Sequence, residues 1–446
     1  MACSCVHQRL MFRLMRGRPY SYNGEHTLLV NPGPVLSYSL FLMTKSYTVL
    51  RLVLLRLVLL FFYIAIFKFH GHGQTGNAPA CIGEIMQQHH VMGLSVAVVK
   101  KKKIIYTHSF GLKDAATKTP MTNDCLFRIA SISKSFSATS ILQLVEAKKL
   151  SLDDDISDLL GFKVRNPKYP EAVITIRLAL SHQSSVNDSQ GYFTLDAINA
   201  SKNSDWTKCY NDYAPGTGYM YCNLNYNMIG AIIERLSGER FDQYVKHHIL
   251  DPLNLYGGYC VDSLDSSRFA TLYEYNTDSA AFLPAPAAYE PRREEIANYV
   301  MGYSTPVFSP TGGMKITATD LAKYMIMHMN QGRLNGKRII SKKSARLMHS
   351  KIAKQEGYGF AIMTTDKILE GITMKGHTGS AYGLFSAMFF HPTKKFGVVV
   401  ITNGCDPAEE NGFNVVIRKV VNCLYDSYIS KSLAKSIGGA ILTPTL

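Results

Sequence analysis

Cysteine is too sparse and too unevenly spread along the 446 residues to organise either a zinc site or a dense disulfide framework. Cys3 and Cys5 lie near the start, and Cys81, Cys125, Cys209, Cys222, Cys260, Cys405 and Cys423 follow at wide, irregular intervals. They read as scattered small buried hydrophobes, with an odd one left free in an exported chain. Histidine is no better arranged for metal. His89-His90 and His247-His248 are adjacent pairs, which diverge on a helix, so neither metal nor cofactor is expected. Acidic residues are also few, 33 against 48 lysines and arginines, for a formal net charge of +15. About half of that excess comes from residues 1–80, where eight basic residues face the single acid Glu25. The remainder is dispersed, without a basic face interleaved with aromatics, so no nucleic-acid partner is expected. An apolar fraction of 46 % with 18 % charged residues suits a packed globular protein.

The apolar run Leu57–Phe67 is too short to span a bilayer unaided. Lys45, Arg51 and Arg56 precede it and the small, polar GHGQTGNAPA follows, the pattern of an export signal. Met43 offers a second start before a basic region of ordinary length. The expectation is a leader over 1–80 cleaved near Ala80 for export to a bacterial periplasm, or else retained as a membrane anchor. A single catalytic domain over 81–430 and a tail over 431–446 complete the division.

Leu94–Val99 and Ile104–Phe110 alternate as a strand hairpin, with Lys100–Lys103 as a solvated turn and Gly111 ending the second strand. A helix is predicted from about Ser131 to Lys148 or Lys149, with Ala138, Ile141, Leu142 and Val145 on one face. Asn225–Leu236 and Phe241–Ile249 read as helices. Thr317 to Asp320 caps a further one, whose Met325, Met327 and Met329 are packing residues. Tyr358–Met363, Gly383–Phe390 and Phe396–Thr402 read as strands, and Gly412–Tyr428 as a last helix. Strands at both ends and helices between them point to an α/β (α+β) fold, an antiparallel sheet flanked by helices with a largely helical inserted region.

Ser131 and Lys134 stand three apart at a helix start, which puts hydroxyl and amine on one side. A lysine made neutral by burial can take the serine proton. Spacing alone is weak, since Ser432 and Lys435 repeat it near the tail. Tyr221-Cys-Asn223 lies just before a helix. The phenol can relay a proton if its pKa falls or if it shares a proton with an amine, and Asn223 can hold both a substrate amide and the lysine head group. His377-Thr378-Gly379, flanked by Gly376, allows a ligand close to the backbone. The Ser380 amide could then join that of Ser131 as a two-donor oxyanion hole.

Together and in this order, Ser131-Ile-Ser-Lys134, Tyr221-Cys-Asn223 and His377-Thr-Gly379 resemble the S-x-x-K, Y-x-N and K-T-G or H-x-G motifs of the serine beta-lactamases and penicillin-binding D,D-peptidases. The likeness is strongest to the branch of class C beta-lactamases, D-aminopeptidases and related esterases, and runs over about residues 84–428. LFRIASISKSF, LSLDDDISDLL, Leu180-Ser181-His182, PGTGYMYCNLNYNMIG and SPTGGM add to it. The resemblance implies a beta-lactamase/transpeptidase-like fold in which Ser131 attacks a carbonyl, Lys134 assists its deprotonation and Tyr221 relays protons. Asn223, His377, Thr378, Gly379 and Ser380 would border the substrate.

His377 departs from the lysine of the best-known lactamases. A mostly neutral histidine weakens carboxylate recognition, so a peptidase or esterase acting on small D-amino-acid-containing or cell-wall-derived compounds or short peptides is expected ahead of a beta-lactamase. A catalytically silent penicillin-binding or sensor protein is the reading from another class.

Overall fold

Lys101 and Lys102 both adopt left-handed backbone conformations, φ 50° and 64°, as a two-residue hairpin turn requires. They join β1, Gly93–Lys100, to β2, Lys103–Asp114. The computed structural model describes residues 77–354 and 356–430. The apolar leader run and the Ser432–Lys435 pair lie outside the described residues. Among those described, no helix is long and apolar enough to cross a membrane. β2 runs on past Gly111, which sits at φ 74°; a Cβ there would lie 2.4 Å from the Met92 carbonyl, so glycine lets the strand pass rather than ending it.

Thr119–Pro120 forms β3, and the remaining strands of the seven-stranded sheet come from the far end of the chain: β4, Met363–Thr365; β5, Met374–Ala381; β6, Leu384–Phe390; and β7, Phe396–Gly404. They assemble in the order β4-β5-β6-β7-β1-β2-β3, every pair antiparallel. This is the expected sheet built from distant segments. Two details differ from expectation. Tyr358–Met363 is mostly irregular, with Tyr358 in isolated bridges and only Met363–Thr365 in a strand, and the His377–Gly379 segment, expected as an edge strand, lies inside the sheet as β5, flanked by β4 and β6.

Both faces of the central strands are covered, which is why β1 is buried almost throughout. Leu94, Val96 and Val98 pack with Val398 and Val400 against α1, Ala78–Gln88, and against the last described α-helix, Val415–Tyr425. Ala97, Val99, Val399 and Ile401 face the helical region inserted between β3 and β4. That region holds α2, Lys134–Glu146; α3, Asn223–Ser237; and α4, Ala318–Met329. Val415–Tyr425 is α5. Met325, Met327 and Met329 are buried in the core, and the Thr317 hydroxyl accepts from the Asp320 amide at 3.0 Å, as the capping pattern predicts.

The cysteines require a correction. Cys81 on α1 and Cys423 on α5 form a disulfide with Cα atoms 6.5 Å apart, while Cys125, Cys209, Cys222, Cys260 and Cys405 are free and buried. The partners are 342 residues apart, and only the packing of both helices on one sheet face unites them.

Candidate active site

The segment before α2 is a backbone device. Phe127–Arg128 pairs with Lys315–Ile316, and Ala130 then takes φ 45°, an uncommon conformation for a residue with a Cβ. A 3-10 turn over Ala130–Ser133 leads into α2 at Lys134, where the sequence suggested a plain helix start. In a 3-10 turn residues three apart eclipse one another, which aligns Ser131 with Lys134. The Ser131 amide belongs to the first turn, where no intrahelical acceptor exists.

Lys134 is fully buried, and its Nζ lies 3.0 Å from Ser131 Oγ, 2.8 Å from Asn223 Oδ1 and 3.0 Å from the Thr311 carbonyl oxygen. Burial lowers its pKa to about 7, only partly opposed by Asp188. The partner set suits a neutral amine. Its two N–H groups can serve the two obligate acceptors, leaving the lone pair toward the Ser131 hydroxyl.

Asn223 is oriented from behind. Its Nδ2 donates to Asp188 Oδ2 at 3.0 Å, so Oδ1 must face Lys134, and the Thr311 hydroxyl also donates to that oxygen at 2.8 Å. Asp188 accepts from the Asn223 and Leu224 amides at 2.8 and 2.9 Å, capping α3 from 35 positions upstream. No short motif could have revealed that long-range cap.

Lys134 Nζ lies 4.8 Å from the centre of the Tyr221 ring. The Tyr221 hydroxyl is buried and makes no hydrogen bond among the described residues. Burial is the largest cause driving its pKa far up. His182, with its ring 4.3 Å from that of Tyr221, accepts from the Cys222 amide through Nδ1 at 3.2 Å and so fixes the Tyr221–Asn223 segment.

β5 brings up the opposite wall. A Cβ on Gly379 would lie 2.2 Å from the Ile129 carbonyl oxygen and 2.6 Å from Ser386 Oγ, so only glycine lets the strand approach the Ser131 turn. Ser386 Oγ donates to that same carbonyl at 3.0 Å, tying β6 to the turn. A cleft of about 470 Å³ lies between, lined by Ser131, Tyr221, Asn223, Thr311, Ser380 and Arg128 among others. His377, Thr378 and Gly379 do not line it. His377 is 2 % exposed, its Nδ1 donates to the Thr378 carbonyl, and its Nε2 accepts from Tyr358 at 2.9 Å. Burial lowers its pKa to about 4, so it is neutral behind the cleft rather than within it.

The Beta-lactamase family model matches residues 78–420. Penicillin-binding protein 4 of Amycolatopsis lactamdurans is 28 % identical over 341 residues, 71 % of this chain and 82 % of its own. Protein flp of Staphylococcus aureus is 23 % identical over 71 % of this chain and 61 % of its own length. Among solved structures, an octameric penicillin-binding protein homologue from Pyrococcus abyssi superimposes with a TM-score of 0.62 at 25 % identity, covering 81 % of this chain and 77 % of that one. D-amino acid amidase from Ochrobactrum anthropi SV3 shares the fold, with a TM-score of 0.59 at 22 % identity over 81 % of this chain and 99 % of its own. The match over most of the chain, on a sheet and cleft of this form, means that the protein belongs to the beta-lactamase family.

Proposed function

We propose that the protein cleaves amide or ester bonds through an acyl-enzyme on Ser131. The observation that carries this reading is the buried Lys134 amine, 3.0 Å from the Ser131 hydroxyl. With a pKa of about 7, a large share of the amine is unprotonated at neutral pH. As Ser131 Oγ bonds to the substrate carbonyl carbon, its proton passes to Lys134 Nζ and the carbonyl electron pair moves to oxygen. The Ser131 and Ser380 amides hold that oxyanion. Collapse expels the amine or alkoxide, which takes the proton back. Water then attacks the acyl-serine, again giving a proton to the amine, and the acid leaves with the free serine restored.

The high Tyr221 pKa supports a division of labour in which Lys134 is the base and Tyr221 a neutral phenol that passes a proton between lysine and leaving group. Asn223 orients the amine and the substrate. His377, Thr378 and Gly379 act from beneath, through the path of β5.

The substrate class is a D-amino-acid-containing or cell-wall-derived amide or ester, with beta-lactam hydrolysis as a secondary reading. Glu274, which lines the cleft, suits a free substrate ammonium. The Cys81–Cys423 disulfide fits an oxidising compartment and supports export, with membrane anchoring as the alternative. The test is a panel of an activated ester, a D-amino-acid amide and a chromogenic cephalosporin, run on wild type and Ser131→Ala. Loss of all turnover in the variant is expected, with the amide or ester preferred by wild type; unchanged turnover in Ser131→Ala refutes the reading.

A further inference from the structure

Lys100–Lys103 are not the only lysines at their end of the sheet. Lys100, the last residue of β1, pairs with Phe396, the first of β7. Lys394 and Lys395 immediately precede Phe396, in the turn that leads out of β6. Paired strands lie about 5 Å apart, so the β1–β2 and β6–β7 turns are neighbours. Lys101, Lys103, Lys394 and Lys395 are exposed, and none of them pairs with a carboxylate among the described residues. The two remaining lysines of the hairpin are held back. Lys100 Nζ donates to the Tyr428 carbonyl at 2.9 Å, and Lys102 Nζ donates to Asn330 Oδ1. Four like charges gathered this closely repel one another, a cost that an anionic partner removes.

The rest of this end fits a particular anion. Ile105 is skipped by the register of β2 on β1, where Val98 pairs with Tyr106 and Val99 with Ile104, and it is 44 % exposed. It sets an apolar side chain beside the lysines. The aromatic rings here offer no platform for bases, since Tyr106 and Tyr428 stack on one another with centroids 4.6 Å apart and Phe396 is buried. Acids are few. Asp366 is followed by Lys367, and the connection then turns inward to bury Ile368 and Leu369, with Glu370 set 3.7 Å from Arg418, which leaves Asp426. The chain also enters its first helix here, because Cys81 of α1 is bonded to Cys423 of α5, shortly before Tyr428. The apolar run Leu57–Phe67 ends ten positions before Asn77, a length of chain that reaches at most about 35 Å. Tyr382, which lines the Ser131 cleft, sits in the β5–β6 turn at the opposite end of the sheet.

We propose that the lysine-bearing end of the sheet docks on an anionic phospholipid bilayer, with Lys101, Lys103, Lys394 and Lys395 over the headgroups, Ile105 inserted between them and the Ser131 cleft turned toward water. The surface is separate from the cleft and does not depend on the acyl-transfer reading. A retained leader would hold this same end at the bilayer, and a cleaved one would leave the lysines as the attachment.

The test measures partition of the full chain onto vesicles of phosphatidylcholine alone or mixed with phosphatidylglycerol. The variant combines Lys101→Gln, Lys103→Gln, Lys394→Gln and Lys395→Gln. Wild type should prefer the anionic vesicles and lose that preference between about 0.1 and 1 M salt. At about fivefold per lysine near the surface, the variant should bind them about 100-fold less or weaker still. Equal partition of wild type and variant onto the anionic vesicles overturns the proposal, as does a wild type that does not distinguish the two lipids. A leader that inserts by itself would carry the protein onto both vesicles, and an environment-sensitive dye on Ile105→Cys then reads the surface. Its emission should shift to the blue on anionic vesicles only, with no shift from the same dye on Phe193→Cys at the cleft. Unshifted emission from Ile105→Cys on vesicles that hold the protein overturns the proposal. So does a protein that ignores both vesicles and binds single-stranded DNA through the same four lysines.

Discussion

Lys134→Met removes the amine and leaves an unbranched side chain in the same buried slot. In the folded protein Lys134 titrates near 7, against about 10.5 for the free side chain. Through that window the unfolded chain holds a proton that the folded chain lacks, so wild-type stability must rise with pH relative to the variant. The slope is about 1.4 kcal/mol per pH unit, or about 2.5 kcal/mol between pH 7.5 and 9.5. Below pH 7 both states hold the proton and the difference levels off. The variant also leaves Asn223 Oδ1 and the Thr311 carbonyl without the amine, but that loss does not vary with pH and drops out of the comparison. Urea melts of both proteins at several pH values measure the difference directly. The same titration should appear in catalysis, with acylation by a neutral ester rising through a single ionisation near pH 7. Parallel stability profiles for wild type and variant, from pH 7 to 9.5, would refute the neutral-lysine argument.

Asp188→Ala should cost about 1–2 kcal/mol in denaturation, as lost helix caps do, and lower kcat/KM by about 100-fold as Asn223 loses its orientation. Gly379→Ala should drive β5 from the Ser131 turn, read as lost soluble protein or as a folded protein unable to acylate. Cys81→Ser should lower stability by about 2–5 kcal/mol under oxidising conditions. Reductant should reduce wild type to the level of that variant and leave the variant unmoved.

The serine–lysine pair was legible because its two side chains sit on one local turn, and the capped α4 was legible for the same reason. Long-range features were not. Asp188 meets Asn223 only through the path of an irregular segment, and Cys81 meets Cys423 only because the first and last described α-helices share a sheet face. Gly376 and Gly379 marked an edge strand at a pocket, but not that β4 would pair outside it, because β4 is a three-residue strand without an apolar pattern. His377 shows a different limit. Flanking glycines mark a close approach of the backbone, and His377, on the same strand face as Gly379, is buried beneath the cleft with its ring 6.2 Å from that of Tyr221 and its Nε2 bonded to Tyr358.

Site mapping of a covalent adduct tests the nucleophile most directly. After reaction with a fluorophosphonate, tryptic cleavage after Arg128 and Lys134 releases a peptide holding Ser131 and Ser133, which fragment ions separate. Ser133 is buried, and its Oγ accepts from the Met314 amide at 3.0 Å. The adduct is expected on Ser131 in wild type, with a rate that rises through pH 7, and absent in Ser131→Ala. An adduct on Ser133 or Ser432, or labelling that survives in Ser131→Ala, would contradict the assignment of Ser131 as the attacking group.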